Sequence, residues 1–294
     1  MNKTVAIIGA GRVGSSLGYL LHRGGYRVIA VAARSLDSAR KSAVFIGAGA
    51  PTTDVVAAAS GADIVFITTP DGAIGTTCAT IASGGGFRQG ALAVHACGAK
   101  TLALLDSAKK AGAYRAVIHP LQSLATREQG INNLAGSYFR IEADPEALAS
   151  ARNIVKTLGG IELAMPKWIS DNDSVALYHA GAVAASNYFV ALVDYALQFY
   201  VSLGADKHEA LQALLPLLKG TLHNIEALGT AEALTGPIAR GDVETIRGHL
   251  EAMQRKTPEL LGLYEELARH TVAVARAKGT IDQQKAEDLL KQLS

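Results

Sequence analysis

Val5 to Gly14 reads VAIIGAGRVG, an apolar run that leads into glycines at the spacing G-x-G-x-x-G. The apolar run predicts a buried strand, and the glycines predict a tight turn that opens into a helix. Gly9 supplies the backbone freedom of the turn, Gly11 lets a pyrophosphate approach, and Gly14 lets helix and strand pack closely. The helix N-terminus then faces the phosphates with its N–H groups and positive dipole end. We therefore predict a dinucleotide-binding turn at Gly9, Gly11, Arg12, Val13 and Gly14; the alternative is a glycine-rich turn that binds nothing.

Composition excludes several classes of protein. The chain has 294 residues, of which 49% are hydrophobic and 18% charged, and its formal net charge is +2. Because no basic block stands out, we expect no nucleic-acid partner. The first strand begins close to Met1 without a signal-peptide pattern, and no uninterrupted apolar run approaches the roughly 18 residues of a membrane span. We therefore expect a cytoplasmic protein with no membrane partner and with reduced thiols at Cys78 and Cys97.

A second apolar strand, from Arg27 to Ala33, ends at Arg34 and Ser35. Sites that prefer NAD place an acidic residue near this point to hold the ribose 2′-hydroxyl. A guanidinium and a hydroxyl instead suit the 2′-phosphate of NADP, because a carboxylate would repel that charge. We predict NADP as the cofactor, with Arg34 and Ser35 at its 2′-phosphate; the alternative for Arg34 is an ordinary surface cation.

A third apolar strand, within the segment from Ala62 to Asp71, runs into Thr68, Thr69 and Pro70. These residues lie at the carboxyl end of a parallel strand, where open α/β sheets bind ligands. We predict that all three contact the cofactor. Pro70 and Asp71 have a second, compatible interpretation, in which they start the next helix with Asp71 as its cap.

Two further strands deliver histidines to the same edge, His95 after residues 91–94 and His119 after residues 115–118. We predict that His95 contacts the cofactor and that His119 faces the substrate, although either is also consistent with a packed imidazole bonded to a carbonyl. A zinc site that combines them with Cys97 is a third alternative. Because no close metal-type spacing is present, we predict no metal.

The α/β pattern ends after strands at residues 137–142 and 160–164, and the remainder reads as helix after helix. We predict a doubly wound, mostly parallel Rossmann domain at residues 1–168 and an all-α domain at residues 169–294. The first helix of the second half, Asn172 to about Ser202, has apolar residues on every face and is therefore expected to be buried all round. Its polar residues His179, Ser186 and Asn187 fall on one side. They are either bonded internally or face a ligand.

Five motifs give the chain a family resemblance over nearly its whole length. The motifs are Gly9 to Gly14, Val94 to Gly98, His119 to Gln122, Tyr178 to Tyr188 and Leu234 to Asp242. On these motifs the chain resembles bacterial Rossmann-like oxidoreductases with an uncharacterised helical C-terminal domain, which are related to 6-phosphogluconate dehydrogenase-like and ketopantoate reductase enzymes. The resemblance implies a C-terminal domain of the 6-phosphogluconate dehydrogenase type. It also places His179 and Val183 where the usual ketopantoate reductases carry Lys and a first Asn, whereas Asn187 matches their second Asn.

Reduction of a ketone by NADPH needs a proton donor for the developing alkoxide and a dipole that polarises the carbonyl. We predict His179 as the donor, Asn187 as the polarising group and His119 on the opposite wall of an interdomain cleft. Ser123, Thr235 and Arg240 are candidates for binding a substrate carboxylate. The alternative for Arg240 to Asp242 is a helix start capped by Asp242.

The leading hypothesis is therefore an NADP(H)-dependent oxidoreductase that acts on a small oxo acid, such as ketopantoate, or on an imino acid. Two alternatives stay open: a non-catalytic NADPH-binding or sensing protein, and an F420-dependent NADP oxidoreductase. A helix that is apolar on all faces further predicts a homodimer.

Overall fold

A computed structural model describes residues 3–164 and 171–293 and shows an eight-stranded sheet in the first half of the chain. Its strands are β1 Thr4–Ile8, β2 Arg27–Ala32, β3 Ala50–Thr52, β4 Ile64–Ile67, β5 Leu92–His95, β6 Tyr114–Pro120, β7 Tyr138–Ala143 and β8 Ile161–Glu162. They lie in the order β3-β2-β1-β4-β5-β6-β7-β8. Neighbouring strands are parallel except for β6 and β7, which are antiparallel. The strand order reverses between β1 and β4, so the predicted doubly wound, mostly parallel sheet is confirmed.

The sheet is covered on both faces, which explains why its strands read as unbroken apolar runs. Successive strand residues point to opposite sides. Val5 and Ile7 accordingly pack in one core with Leu17, whereas Ala6 and Ile8 pack in the other. All five side chains are buried. The glycine turn after β1 is thus built on a strand that is fixed from both faces.

Within residues 3–164, seven α-helices accompany the strands: α1 Arg12–Arg23, α2 Leu36–Ile46, α3 Val55–Ala59, α4 Asp71–Ser83, α5 Asp106–Lys110, α6 Arg127–Leu134 and α7 Leu148–Thr157. Short polar side chains start several of them, as capping requires. Thr126 accepts a hydrogen bond from the backbone N–H of Gln129 at the start of α6. Gly47 takes a left-handed conformation and ends α2.

Several local predictions need correction. The Gly and Ala content of residues 48–50 predicts a loop, but they lead into the short edge strand β3, and helix α3 was not predicted. Pro70 occupies the N-cap position of α4, so Asp71 is the first helical residue and does not cap the helix. His95 and His119 are strand residues and do not follow their strands. Short elements and strand ends escape prediction because few residues carry their pattern.

The second half is helical, as predicted, with no strand in residues 171–293. Its helices are α8 Asn172–Ser202, α9 Lys207–Ala233, α10 Pro237–Arg240, α11 Val243–Lys256, α12 Leu261–Lys278 and α13 Gln283–Gln292. The predicted domain boundary at 168/169 lies outside the described residues and stays a prediction. The chain divides into compact units at Met1–Ser186 and Asn187–Ser294, so the first half of α8 is grouped with the sheet.

The second unit has its own core. Ile246, Val272 and Leu289 bring together α11, α12 and α13. Tyr195 of α8 is buried and donates a hydrogen bond to the carbonyl of Leu260 at 2.6 Å. Amphipathic patterns predict helices at about Lys207 to Ala227, Val243 to Gln254 and Pro258 to Ala277, which correspond to α9, α11 and α12. Helices α10 and α13 were not predicted, because one is very short and the other follows only a weak turn signal.

Helix α8 has the predicted bounds but not the predicted burial. Within it only Val175, Tyr195 and Leu197 are buried, whereas Leu177 is 73% exposed and Val190 is 68% exposed. Apolar residues on every face show that a helix needs cover, but they do not show that the same chain provides it. By length and composition alone this helix is also apolar enough to cross a membrane, a test that core helices of soluble proteins pass as well.

Candidate functional site

The turn between β1 and α1 has the geometry that its glycines predict. Gly9 has a φ of +100°, and a Cβ there would lie 2.5 Å from the backbone of Thr68 and Thr69. A Cβ on Gly14 would lie 2.3 Å from the carbonyl oxygen of Gly9 and from Oγ1 of Thr68. At Gly11 a Cβ would meet nothing within 4 Å. Two of the glycines are therefore needed by the packing of the chain, and the third leaves open space at the turn.

The start of α1 offers donors and positive potential to an anion. Gly11 is the N-cap and has no side chain to bond the N–H groups of the first turn. That turn contains no acidic residue, so nothing offsets the positive end of the helix dipole. Arg12, the first helical residue, is exposed, and Val13 is half-buried beside it. These features suit a phosphate group.

The residues after β4 complete this edge across the switch point. Thr68 donates its hydroxyl to the carbonyl oxygen of Gly9 at 2.8 Å and thereby serves the turn itself. Thr69 Oγ1 is buried without a hydrogen-bond partner, one of three such side-chain atoms in the part of the chain that the structure describes. Pro70 is exposed. An unpaired buried hydroxyl costs stability, so its place at a ligand-binding edge is a pointer to function.

Arg34 and Ser35 follow β2, the neighbour of β1, and both are exposed. Ser35 is the N-cap of α2, where its hydroxyl accepts a hydrogen bond from the N–H of Ser38 at 3.2 Å. A phosphate at this position would meet the Arg34 cation and the N-terminus of α2.

His95 is fully buried, with both ring nitrogens engaged inside the protein. Its Nε2 lies 3.0 Å from the carbonyl oxygen of Thr101, and its Nδ1 accepts the N–H of Cys97 at 3.1 Å. Burial lowers the pKa of His95 to about 4, although the Thr101 carbonyl opposes the shift. The ring therefore fixes the 95–101 loop, and a direct hydrogen bond to a cofactor would require one of these contacts to break.

Two histidines meet at Gly98, shortly after β5, and a tyrosine hydrogen-bonds one of them. His119 of β6 places Nδ1 3.0 Å from the hydroxyl of Tyr178, and its ring centroid is 6.0 Å from that of His179. A Cβ on Gly98 would lie 2.5 Å from His119 Nε2 and 2.7 Å from His179 Nδ1. His179 Nδ1 is itself buried without a partner, which leaves Nε2 as the ring nitrogen available to a ligand. The predicted pair His119 and His179 is thus brought together, with Tyr178 as an unpredicted third member.

Burial sets the protonation states in this cluster. It lowers the pKa of His119 to about 4, with His179 and Arg140 adding in the same direction. Burial also raises the pKa of Tyr178, which Arg140 opposes. At neutral pH His119 is therefore uncharged and Tyr178 keeps its proton, so the pair is a neutral hydrogen bond.

Arg140, on β7, is a buried cation that sequence reasoning missed. Its side chain is only 2% exposed and donates to the carbonyl oxygen of Lys100 at 2.9 Å and to Glu142 at 2.8 Å. The guanidinium carbon is 6.0 Å from the centroid of the Tyr178 ring. A charge inside an apolar strand was the available signal, since arginine is rarely fully buried unless paired. Tyr178 gave a similar signal as a polar residue on an apolar helix.

The predicted carboxylate-binding residues are dispersed along the chain. Ser123 is exposed after β6. Thr235, before α10, and Arg240, its last residue, are exposed in the second unit. Asp242 is the N-cap of α11, so the alternative of a helix start is confirmed there. Asn187 is exposed on α8, eight residues after His179 and thus about two turns along the same helix.

The zinc alternative finds no support in the geometry. Residues 3–164 and 171–293 contain no group of three or more His, Cys, Asp or Glu side chains placed to hold a metal ion. Burial raises the pKa of the Cys97 thiol to about 11, whereas zinc binds the thiolate.

Two family descriptions match parts of this chain. Residues 2–120 match the Rossmann-like domain, and residues 137–271 match DUF2520, a domain of unknown function. No curated protein matches the sequence.

Solved structures of similar fold cover nearly the whole chain. A candidate NADP oxidoreductase from Bacteroides fragilis is 24% identical with a TM-score of 0.73, over 94% of this chain and 98% of that one. A protein from Thermotoga maritima is 26% identical with a TM-score of 0.71, over 93% and 99%. An imine reductase from Pseudomonas sp. is 17% identical with a TM-score of 0.61, over the whole of both chains. The fold is that of a Rossmann-like domain followed by a helical region.

Proposed function

We propose that this protein is an NADP(H)-dependent oxidoreductase that reduces the C=O bond of a small oxo acid or the C=N bond of a small imino acid. The observation that carries the proposal is the meeting of His119 and His179 at Gly98, with Tyr178 hydrogen-bonded to His119, at the sheet edge that also holds the glycine turn. β1, β4, β5 and β6 are consecutive neighbours. Three strand spacings therefore separate the turn from the cluster, about 14 Å. One dinucleotide extended along the edge would reach both places.

Three features support NADP(H) as the cofactor: the open turn at Gly11, the start of α1 without a capping side chain, and the cation at Arg34. The phosphates would lie on the N-terminus of α1, and Arg34 with Ser35 would hold the 2′-phosphate. The names of two matched structures, an NADP oxidoreductase and an imine reductase, are consistent with this cofactor and with reduction of a C=X bond.

The proposed reaction moves a hydride and a proton. The hydride leaves the nicotinamide of NADPH, forms a C–H bond at the carbonyl or imine carbon, and yields NADP⁺. The electron pair of the C=X bond moves to oxygen or nitrogen, which takes a proton from His179. Tyr178, held by His119, is a second protonated group beside it, and Asn187 is proposed to polarise the oxygen. Ser123, Thr235 and Arg240 stay proposed contacts of the substrate carboxylate.

Ketopantoate is the oxo acid that the motif resemblance favours, and a cyclic imine is the substrate class that the structural likeness favours. The test is to follow the loss of NADPH absorbance with a panel of 2-oxo acids, including ketopantoate, and a panel of cyclic imines. Turnover on either panel supports the proposal. NADPH binding without turnover on either panel would favour a sensing protein, and hydride exchange with F420 alone would favour the third alternative.

The cofactor assignment has its own measurement. We expect NADPH to bind more tightly than NADH, because no acidic residue at the end of β2 holds the ribose 2′-hydroxyl. Equal affinities in a fluorescence titration would contradict the role of Arg34 and Ser35.

A further inference from the structure

The carbonyl group of Ala10, inside the glycine turn, is surrounded by donors. It accepts hydrogen bonds from Ser42 Oγ at 3.0 Å, from Arg127 Nη2 at 3.1 Å and, more weakly, from Ser15 Oγ at 3.4 Å. Ser15 and Ser42 are both fully buried. A buried carbonyl group needs only one hydrogen-bond partner, so three donors on this oxygen fix the orientation of the Ala10–Gly11 peptide.

The orientation of this carbonyl fixes what the turn presents to solvent. In a trans peptide the C=O and the following N–H point in opposite directions. Because the Ala10 oxygen faces the protein interior, the N–H of Gly11 faces outward, toward the open space where a Cβ on Gly11 would meet nothing. That N–H is one of the donors that a diphosphate group uses at such a turn.

Arg127 reaches the turn from a distant part of the chain and is itself firmly placed. It is the first residue of α6, and its backbone carbonyl accepts the hydroxyl of Ser16 on α1 at 2.9 Å. Gly130 of α6 packs so closely that a Cβ there would lie 2.2 Å from Ser16 Oγ. The guanidinium carbon is 5.9 Å from the ring centroid of Phe45. Helix α6 is therefore packed on α1, and the Arg127 side chain contacts the Ala10 carbonyl oxygen and the ring of Phe45 on α2.

We infer that Arg127 is a positioning residue for the diphosphate of the cofactor, which holds the Ala10–Gly11 peptide with its N–H outward and adds a positive charge beside the phosphates. The inference rests on the proposed NADP(H) function. A guanidinium is suited to both tasks, because one N–H satisfies the carbonyl while the charge remains close to the anion. The role differs from that of Arg34, which lies after β2.

The test compares two ligands on the full-length protein. NADPH carries the diphosphate, whereas adenosine 2′-monophosphate keeps the 2′-phosphate and has no phosphate on its 5′-oxygen. We expect Arg127→Met to weaken NADPH binding roughly tenfold, the effect of one charge-assisted hydrogen bond, and to change the affinity for adenosine 2′-monophosphate by less than about twofold. Arg127→Lys, which keeps the charge but not the planar fork, should weaken NADPH by about threefold.

Arg88→Met is the matched control, because Arg88 is exposed and pairs with Asp63 near the amino end of β4, at the opposite edge of the sheet. It should leave both affinities unchanged. A merely structural role for Arg127 would lower the melting temperature and weaken both ligands alike, and that result would overturn the inference. Wild-type affinity for NADPH in Arg127→Lys would also overturn it, even if the Met variant does not fold. Failure of the wild-type protein to bind NADPH would instead reject the proposed function.

Discussion

His95 and His119 lie at the carboxyl ends of neighbouring strands, as the last residue of β5 and the last but one of β6, yet their imidazoles have different partners. His95 bonds two backbone groups of its own loop, whereas His119 bonds the side chain of Tyr178. The sequence predicts that both histidines lie at the carboxyl edge of the sheet. It does not predict their hydrogen-bond partners, because those come from a loop and from a helix far along the chain. The first ring thus has a structural role, and the second belongs to the candidate site.

The buried state of His95 predicts a pH dependence of stability. Its pKa falls from 6.5 to about 4 in the folded protein. The unfolded chain therefore binds more protons once the pH drops below 6.5, and the free energy of unfolding decreases between pH 6.5 and 4. From pH 7 to pH 5 we expect His95 to contribute a loss of about 1–2 kcal/mol. Urea unfolding at the two pH values measures the loss.

His95→Gln is the comparison for this measurement, since glutamine offers a hydrogen-bonding side chain that does not titrate. All other groups are shared by the two proteins, so the loss of stability between pH 7 and pH 5 should be smaller in the variant by the same about 1–2 kcal/mol. An equal loss in both proteins would show that His95 keeps an ordinary pKa in the folded state.

The cluster at Gly98 predicts separable effects on turnover. Because His179 and Tyr178 are proposed to act on the reacting atoms, His179→Ala and Tyr178→Phe should each lower kcat by roughly 10²-fold while NADPH affinity stays nearly constant. Asn187→Ala should behave in the same way if its amide polarises the substrate. Steady-state kinetics and NADPH titration provide the two readouts.

Tyr138→Phe is a control for Tyr178→Phe, because Tyr138 is exposed at the start of β7. If His179→Ala and Tyr178→Phe lower the melting temperature but leave turnover per folded molecule unchanged, then both residues serve packing alone.

In the turn between β1 and α1, Gly14 and Gly11 are expected to respond to the same substitution in opposite ways. Gly14→Ala would place a methyl group 2.3 Å from the Gly9 carbonyl and should destabilise the protein by several degrees of melting temperature. Gly11→Ala adds the same atom in open space, with an extended backbone that alanine adopts freely. It should leave stability intact and weaken NADPH by tenfold or more, because the methyl group occupies the approach of the diphosphate.

Thermal unfolding and NADPH titration of both variants check this pair. Tight NADPH binding by Gly11→Ala would place the cofactor elsewhere.

The elements themselves were predictable where a pattern is long and repeated. The predicted starts agree with the structure for β1, α1, α8 and α9. At these positions apolar runs, glycines and capping residues indicate the same boundary. β3 and α10 are too short to carry a period, and the antiparallel pairing of β7 with β6 has no local signal. The hydrogen bond from Arg127 to the Ala10 carbonyl oxygen could not be predicted for a related reason. In the sequence Arg127 is an ordinary cation in the first turn of a helix, and only the packing of α6 against α1 brings it to the glycine turn.

The long helices of the second unit expose large apolar side chains. Val190 on α8 is 68% exposed, and Leu217 and Leu222 on α9 are 64% and 51% exposed. Helix α8 contains no Lys or Arg, so its own exposed apolar residues offer little to an anionic partner. We expect a second copy to cover it in a twofold homodimer, since an isologous contact lets equal apolar patches cover each other.

Light scattering at micromolar concentration should give the mass of a dimer. Val190→Lys and Leu217→Lys together should shift the protein toward the monomer. Val44→Lys is the matched control, because Val44 on α2 is 82% exposed in the first unit and should not affect assembly. A monomeric wild-type protein would contradict the expectation.

The contact between Arg127 and the Ala10 carbonyl joins residues that are 117 positions apart. At about 5–20 residues per second of synthesis, roughly 6–23 s separate the appearance of the two groups on a growing polypeptide. During that interval the nascent chain already carries its glycine turn, Ser15 and Ser42, but not the guanidinium. With the role proposed for Arg127, the affinity for NADP(H) therefore reaches its full value only after α6 has been synthesised, and not when the glycine motif is complete.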